Sequence, residues 1–159
     1  MKKKYLSYDD ALRKLQAYCA YQERCHKEVR QKLRDLGLWG DVVDEIISEL
    51  ITDNFLNELR YAQAFAGGKF RIKKWGKKRI IQALQLNQVS AYSIKKAIQN
   101  EIPDEEYEQT LRAVLEKKDH LLRESNPYKR RQKLAQYALD KGYESSLVWS
   151  IVNEQAIKK

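Results

Sequence analysis

Apolar residues recur along this chain at the three- and four-residue spacing that is typical of amphipathic α-helices. The pattern predicts three short helices in the first third of the sequence. Ser7 is the predicted N-cap of the first helix, the second covers residues 26–36, and the third extends to about Thr52. Gly37 follows the last apolar position of the second helix, where a left-handed C-terminal cap is expected.

The same pattern starts again at Asn57, which is a predicted N-cap. The helix after it is expected to end or loosen at Gly67 and Gly68, and the next helix is expected to begin near Lys74. A further helix is predicted after Ser90, again with the serine as its N-cap.

A third round begins at Asp104, directly after the helix-breaking Pro103. Asn126 and Pro127 predict the start of the second helix of this round, because proline is tolerated at the first helical position. Gly142 is the predicted stop of that helix, and one more helix follows it.

The three rounds resemble an internal repeat with a period of about fifty residues. Apolar positions keep their register across two helices and the turn between them, and the matched sets are Val29, Ile80 and Leu134; Leu33, Leu84 and Ala138; Leu38, Val89 and Tyr143; Val43, Ile94 and Val148; Ile47, Ile98 and Val152. The stop position holds Gly37, Gln88 and Gly142. We therefore predict an all-α fold with domains at 1–54, 55–102 and 103–159, whose stacking would leave an extended surface for partners. Val29, Leu33, Ile80 and Leu84 are predicted core residues.

A run of one charge interrupts the apolar pattern in the middle of the chain. The basic segment, residues 69–79, contains no acidic residue, and its cations are Lys69, Arg71, Lys73, Lys74, Lys77, Lys78 and Arg79. We expect these charged groups to face solvent while Phe70, Ile72 and Trp75 fix the segment to the helices. Such a run indicates an interaction surface or a solvated face that keeps the protein soluble.

Composition supports a folded chain with an anionic partner. Hydrophobic residues make up 43% of the 159 positions, and the formal net charge is +9 at pH 7. This charge favours nucleic acid, a membrane surface or an acidic protein as the partner, without choosing among them. Residues 5–10 do not form the apolar region of a secretion signal, and no apolar run is long enough to span a bilayer. A cytoplasmic protein is expected, with Cys19 and Cys25 as reduced core thiols.

The residue patterns of common catalytic sites do not stand out. The run Gly67-Gly68-Lys69 lacks the spacing and the hydroxyl residue of a phosphate-binding loop. A metal site of Cys19, Cys25 and His26 would lack the closely spaced cysteine pairs of zinc sites. We therefore predict a non-enzymatic regulator with no cofactor and no metal.

The motifs NFLNELRYAQAF and KFRIKKWGKKRIIQAL, preceded by CHKEVRQKLRDLGL, resemble the RecX family of regulators of the bacterial RecA recombinase. The resemblance extends from about Tyr8 to Val152, and the residues that carry it best are Phe55, Leu56, Arg60, Tyr61, Ala62, Phe65, Gly76, Ile80 and Leu84. Family members typically have an acidic pair where this chain has Asn57 and Glu58, and usually a glycine where it has Gln88. Asn57 can still cap a helix, whereas the backbone at Gln88 could differ.

The resemblance implies three tandem three-helix repeats that form an elongated, curved molecule. It implies binding in the deep groove of the RecA–DNA filament, with modulation, mainly inhibition, of strand exchange and co-protease activity in DNA repair and recombination. Single- and double-stranded DNA are expected as weaker, salt-sensitive partners of a monomer that does not bind membranes. The predicted contact residues are Arg60, Lys69, Arg71, Lys73, Lys74, Lys77, Lys78 and Arg79.

Two other functions remain open from the residues alone. The helix pair around Gly37 could belong to a helix-turn-helix protein that binds DNA directly. Against this, the pair recurs three times, and no single helix stands out as a reader of bases. The chain could also be a structural adaptor, although its basic segment has no acidic residues to balance it.

Overall fold

The computed structural model describes the backbone of residues 6–158 and the side chains of residues 6–155. Within this range the chain forms nine α-helices and no strand: α1 (Tyr8–Tyr21), α2 (His26–Asp35), α3 (Asp41–Thr52), α4 (Glu58–Arg71), α5 (Lys77–Leu86), α6 (Ala91–Glu101), α7 (Asp104–Leu121), α8 (Pro127–Asp140) and α9 (Ser145–Lys158). Helices α1, α2 and α3 pack on one another, and so do α7, α8 and α9. The predicted all-α fold is confirmed.

The predicted N-caps form the expected hydrogen bonds. A side-chain oxygen accepts a hydrogen bond from a backbone N–H three residues later, which satisfies a donor that the helix itself leaves unpaired. The pairs are Ser7 with Asp10 at 3.1 Å, Asn57 with Arg60 at 2.9 Å, Ser90 with Ser93 at 3.3 Å and Asn126 with Lys129 at 3.1 Å.

The turns that end α2, α5 and α8 share one backbone geometry. The φ angle is +87° at Gly37, +60° at Gln88 and +102° at Gly142. In each turn the next residue donates its N–H to the carbonyl five positions earlier, and the pairs are Leu38 with Leu33, Val89 with Leu84 and Tyr143 with Ala138, at 3.0–3.2 Å. Gln88 therefore adopts the left-handed conformation of the two glycines, and the loss of glycine there does not change the turn.

Two sequence predictions about the middle of the chain are wrong. Helix α4 does not end at Gly67 and Gly68 but continues to Arg71. A Cβ atom on Gly67 would lie 2.7 Å from Nη1 of Arg71 and 2.9 Å from Oε2 of Glu101, so the glycine makes room for side chains rather than breaking the helix. Helix α5 begins at Lys77 instead of near Lys74, because Lys74 has a left-handed φ of +59°.

The predicted core positions are fully buried. Val29, Leu33, Ile80 and Leu84 each have 0% of their surface exposed. The predicted core thiols, Cys19 and Cys25, are also buried and form no disulfide, and burial raises the pKa of both.

The described chain forms two compact units. The first contains the residues up to Ala64 together with Leu84–Lys96, and the second contains Phe65–Ala83 together with the residues from Ala97 onward. The residues of the middle predicted domain are thus divided between the two units, and the domain limits 1–54, 55–102 and 103–159 stay a prediction. No helix in the described part of the chain is both long enough and apolar enough to cross a membrane.

Candidate partner-binding surface

The basic segment consists of the last turn of α4, the connection 72–76 and the first turn of α5. Hydrogen bonds hold its backbone at several points. The N–H of Trp75 donates to the carbonyl of Lys69 at 3.1 Å. The hydroxyl of Tyr143 donates to the carbonyl of Lys74 at 2.9 Å, and Nζ of Lys141 donates to the carbonyl of Lys73 at 3.3 Å. The connection is therefore held in one conformation although it is not helical.

The start of α5 is joined to the turn between α8 and α9. The N–H of Gly76 donates to the carbonyl of Lys141 at 2.8 Å, and that of Lys78 donates to the carbonyl of Gly142 at 3.0 Å. The N–H of Lys77 donates to the hydroxyl of Tyr107 at 3.1 Å. Because these donors are already used, this helix N-terminus is not a free anion-binding site.

Aromatic packing anchors the segment. Phe70 is buried with its ring centroid 5.9 Å from that of Tyr107, which stacks on Tyr143 at 5.1 Å. Trp75 is half-buried and meets the ring of Phe65 edge-on at 6.4 Å. The predicted anchoring by Phe70 and Trp75 is confirmed.

Ile72, the third predicted anchor, lies instead on the surface with 78% of its area exposed. Phe70 and Ile72 are two positions apart at the end of a helix, so their side chains point in roughly opposite directions. Since Phe70 faces the interior, Ile72 faces solvent beside the exposed Lys73 and Lys74.

Two cations of the segment are paired with carboxylates that come from later helices. Arg71 contacts Oε2 of Glu101 at 3.2 Å, the carbonyl of Glu101 at 2.7 Å and Oε1 of Glu106 at 3.7 Å. Lys77 pairs with Asp104 at 3.2 Å and lies 4.5 Å from the ring centroid of Tyr107. The segment lacks acidic partners in sequence, but the fold supplies them.

Arg60 is also engaged inside the protein. Its Nε donates to Oε1 of Glu23 at 2.5 Å, and its two terminal nitrogens donate to Asn54 Oδ1, Asn54 O and Phe55 O at 3.0–3.3 Å. This side chain therefore joins α4 to the connection that precedes it and to the connection between α1 and α2.

The other cations of the segment have no carboxylate partner among the described side chains. Lys69 and Arg79 lie over the ring of Trp75, at 4.8 Å and 4.2 Å from its centroid. Lys73, Lys74 and Lys78 are exposed, and none of the ion pairs in the described range includes them. The structure thus divides the predicted contact residues into an internally paired group and a free group, Lys73, Lys74 and Lys78, with the Trp75-stacked Lys69 and Arg79 beside them.

Family models match this chain three times in succession. The first three-helix domain of RecX matches residues 8–50, the second matches 57–98, and the third matches 104–152. The chain belongs to the RecX family. Together with the nine helices of the described residues, these matches confirm the predicted three tandem three-helix repeats.

Relatives with the name regulatory protein RecX cover most of the chain. The protein of Clostridium perfringens strain 13 is 34% identical over 131 residues, which are 81% of this chain and 60% of that protein. The protein of Prosthecochloris aestuarii is 25% identical over 150 residues, which are 91% of this chain and 92% of that protein. The chain therefore spans about 60% of the length of the clostridial relative.

Solved RecX structures have the same fold. The crystal structure of RecX from Lactobacillus salivarius matches with a TM-score of 0.84 at 23% identity, over 94% of this chain and 97% of that one. A second crystal structure of regulatory protein RecX matches with a TM-score of 0.79 at 20% identity, over 97% of this chain and 81% of that one.

Sequence reasoning missed the residues that hold the basic segment of this RecX chain in place. Tyr107 accepts a hydrogen bond from Lys77 and donates one to Oε2 of Glu144 at 2.8 Å. The hydroxyl of Tyr143 donates a hydrogen bond to the carbonyl of Lys74. Burial raises the pKa of both Tyr107 and Tyr143. The sequence did mark Tyr143 as unusual, because the equivalent positions of the other two repeats hold the aliphatic residues Leu38 and Val89. No such comparison between the repeats marks Tyr107.

The described residues contain no group of three or more histidine, cysteine, aspartate or glutamate side chains that could hold a metal ion.

Proposed function

We propose that this RecX-family chain is a non-enzymatic, cytoplasmic regulator that binds the RecA–DNA filament through the free cations of its basic segment. Binding would mainly inhibit strand exchange and co-protease activity in DNA repair and recombination. Membership of the RecX family supports the recombinase as the partner. The observation that carries the proposal is the presentation of Lys73, Lys74 and Lys78 without carboxylate partners, the first two on a hydrogen-bonded connection and the third in the first turn of α5.

The rigidity of the connection supports a binding role over a solubilising one. A loop whose backbone is already ordered loses little conformational entropy when it binds, so more of the interaction energy appears as affinity. Ile72 adds an exposed apolar group directly before Lys73 and Lys74. Lysines increase solubility through their charge and exposure alone, so a solubilising role explains neither the ordered backbone nor the exposed isoleucine beside them.

The ion-paired cations are weaker candidates for direct contacts. Arg60, Arg71 and Lys77 would have to exchange an internal carboxylate for one on the partner or for a phosphate. Such an exchange yields little net free energy, because one charged contact replaces another. We propose that these three side chains hold the surface in shape while the free group makes the contacts.

The test is a variant with alanine at Lys73, Lys74 and Lys78. Lys78 lies in α5, where alanine favours helix. At Lys73 and Lys74, which are not helical, alanine keeps the Cβ atom that lysine has, so the backbone there, including the left-handed φ of +59° at Lys74, should be retained. We expect weaker binding to RecA filaments, weaker inhibition of strand exchange, and a log–log salt dependence of affinity that is shallower by about 0.7 to 0.9 for each phosphate that the variant no longer neutralises.

The matched control removes the same net charge elsewhere, with alanine at Lys14, Arg123 and Lys129, all exposed and outside the segment. It should bind and inhibit like the parent. If the Lys73, Lys74 and Lys78 variant folds normally and also behaves like the parent at physiological salt, the segment is a solvated face and the proposal is wrong.

Binding to bare DNA, to RecA alone and to RecA filaments should be compared over one salt series. A filament regulator should bind filaments much more tightly than bare DNA. Equal affinity for bare duplex and for filaments would instead favour the alternative of a helix-turn-helix protein that acts on DNA directly.

A further inference from the structure

Helix α6 presents an exposed face that the basic segment does not include. Tyr92 has 69% of its surface exposed, and Lys95 and Lys96 are also exposed. The two lysines are three and four positions after the tyrosine, so the three side chains lie next to one another on the same side of the helix. An aromatic ring and two ammonium groups therefore form one continuous patch.

The opposite side of α6 packs into the protein interior and is hydrogen-bonded to α4. Ser93, Ile94 and Ala97 are buried. The hydroxyls of Ser90 and Ser93 both donate to Oε1 of Glu58, at 2.5 Å and 2.7 Å. The first turn of the helix, which carries Tyr92, is thus fixed by its cap and by a carboxylate of α4.

The patch carries positive charge that is not balanced within the described residues. No ion pair of the described side chains includes Lys95 or Lys96, and the ring of Tyr92 is in no aromatic or cation–π pair there. The only acidic residue of α6 is Glu101, whose carboxylate pairs with Arg71.

This chemistry fits single-stranded nucleic acid better than other anionic partners. Sites that bind single strands combine cations along the phosphate backbone with aromatic rings on which the bases stack. A duplex would offer the lysines phosphates but would keep its bases away from Tyr92. A protein interface is typically centred on apolar side chains, and no exposed position of α6 holds a large aliphatic residue.

We propose that α6 contains a binding site for single-stranded nucleic acid, in which Tyr92 stacks on a base and Lys95 and Lys96 contact adjacent phosphates. The site shares no residue with the basic segment and does not depend on the proposed recombinase partner. It can therefore be tested with bare oligonucleotides.

The experiment measures the affinity of the full chain for a fluorescently labelled oligothymidylate by anisotropy, over a salt series. Tyr92→Ala should weaken binding by about fivefold to a hundredfold, the range found when a stacking aromatic is removed. Tyr92→Phe keeps the ring and should bind like the parent, whereas Tyr92→Leu should behave like the alanine variant. Changing Lys95 and Lys96 together to glutamine should make the salt slope shallower by about 0.7 for each phosphate that is no longer neutralised.

The control is Tyr21→Ala, which removes another exposed tyrosine, with 82% of its surface accessible, from the end of α1. It should leave oligonucleotide binding unchanged. Far-ultraviolet circular dichroism and the melting temperature of each variant show whether it is folded, and Tyr92→Phe provides a folded reference even if the other changes at Tyr92 do not.

Two results would overturn the proposal. The first is a Tyr92→Ala variant that binds the oligonucleotide like the parent; if that variant also loses filament binding, the patch contacts a protein instead. The second is full affinity in Tyr92→Leu, which would indicate apolar packing instead of stacking. The role of the free cations in filament binding is tested separately, by the variant at Lys73, Lys74 and Lys78.

Discussion

Gln88 shows how a single residue can keep a backbone conformation that its own side chain disfavours. Its φ of +60° matches the left-handed conformation of Gly37 and Gly142 at the equivalent turns. For a residue with a Cβ atom this conformation costs about 1–2 kcal/mol. The strain is tolerated because the N–H of Val89 still donates to the carbonyl of Leu84 at 3.1 Å, which closes the helix.

Replacing Gln88 with glycine should therefore stabilise the protein. The relief of strain exceeds the roughly 0.5–1 kcal/mol of additional backbone entropy that glycine loses on folding, so we expect a gain of up to about 1 kcal/mol in the free energy of unfolding. Urea denaturation followed by circular dichroism measures it.

The matched change of opposite sign is Gly37→Ala. A Cβ atom there would meet no other atom within 4 Å, so no clash contributes to the effect. The decrease in stability should reflect backbone strain, partly offset by the smaller backbone entropy that alanine loses on folding, and should be up to about 1 kcal/mol. If Gln88→Gly lowered the free energy of unfolding, as Gly37→Ala is expected to do, Gln88 would not be strained at this turn.

At the scale of elements, Gly76 is the position where α5 meets the turn between α8 and α9. A Cβ atom on Gly76 would overlap the backbone of Gly142 and Tyr143, which cannot move aside as a flexible side chain can. A Cβ atom on Gly142 would in turn lie 2.5 Å from the Cβ of Arg79. The two glycines permit the close approach through which the N–H groups of Gly76 and Lys78 are satisfied.

Gly76→Ala should separate the start of α5 from this turn. We expect a decrease of about 1–3 kcal/mol in the free energy of unfolding, typical of overpacking, and faster amide exchange at Gly76 and Lys78. Chemical denaturation and hydrogen exchange measure the two effects.

Gly68→Ala is the control, because Gly68 lies within α4 and a Cβ atom there would meet nothing within 4 Å. It should stabilise the protein by about 0.4–1 kcal/mol, since alanine favours helix more than glycine does. If both alanine variants shifted stability in the same direction, the close contact at Gly76 would not be the cause.

At the scale of the whole molecule, several tyrosines couple stability to alkaline pH. Burial raises the pKa of Tyr18, Tyr61, Tyr107 and Tyr143, and a hydrogen bond to Glu49 raises the pKa of Tyr8 to about 12. The folded state thus holds these hydroxyl protons more tightly than the unfolded chain, in which tyrosine has a pKa of about 10.

The free energy of unfolding should therefore be independent of these groups below pH 10 and should fall as the pH rises above about 10, where the unfolded chain begins to lose tyrosine protons. Urea denaturation at a series of pH values from neutral to strongly alkaline measures the decline.

Tyr143→Phe removes one of these groups and a hydrogen bond to the carbonyl of Lys74. It should lower stability at neutral pH and show a shallower decline above pH 10. An equally steep decline in the parent and in Tyr143→Phe would exclude Tyr143 as a contributor.

The helices, caps and turns could be predicted because their contacts are local. Each cap joins residues three positions apart, and each turn joins residues five positions apart, so a short stretch of sequence contains both partners. The buried positions Val29, Leu33, Ile80 and Leu84 followed from helical periodicity in the same way. The prediction of a helix end at Gly67 and Gly68 was wrong because low helix propensity was outweighed by the packing of α4.

The sequence by itself determined the helical fold, the threefold repeat, the RecX family and the location of a basic segment. The tertiary structure alone decided which cations of that segment are free. Arg71 and Lys77 are paired with carboxylates 30 and 27 residues further along, and Arg60 with one 37 residues earlier. Periodicity within a helix shows which face is buried, but it does not show which charged group of a distant helix will lie opposite. Only the packing of helices brings those charges within a few ångströms, where they neutralise one another, while Lys73, Lys74 and Lys78 are left without a carboxylate partner among the described side chains.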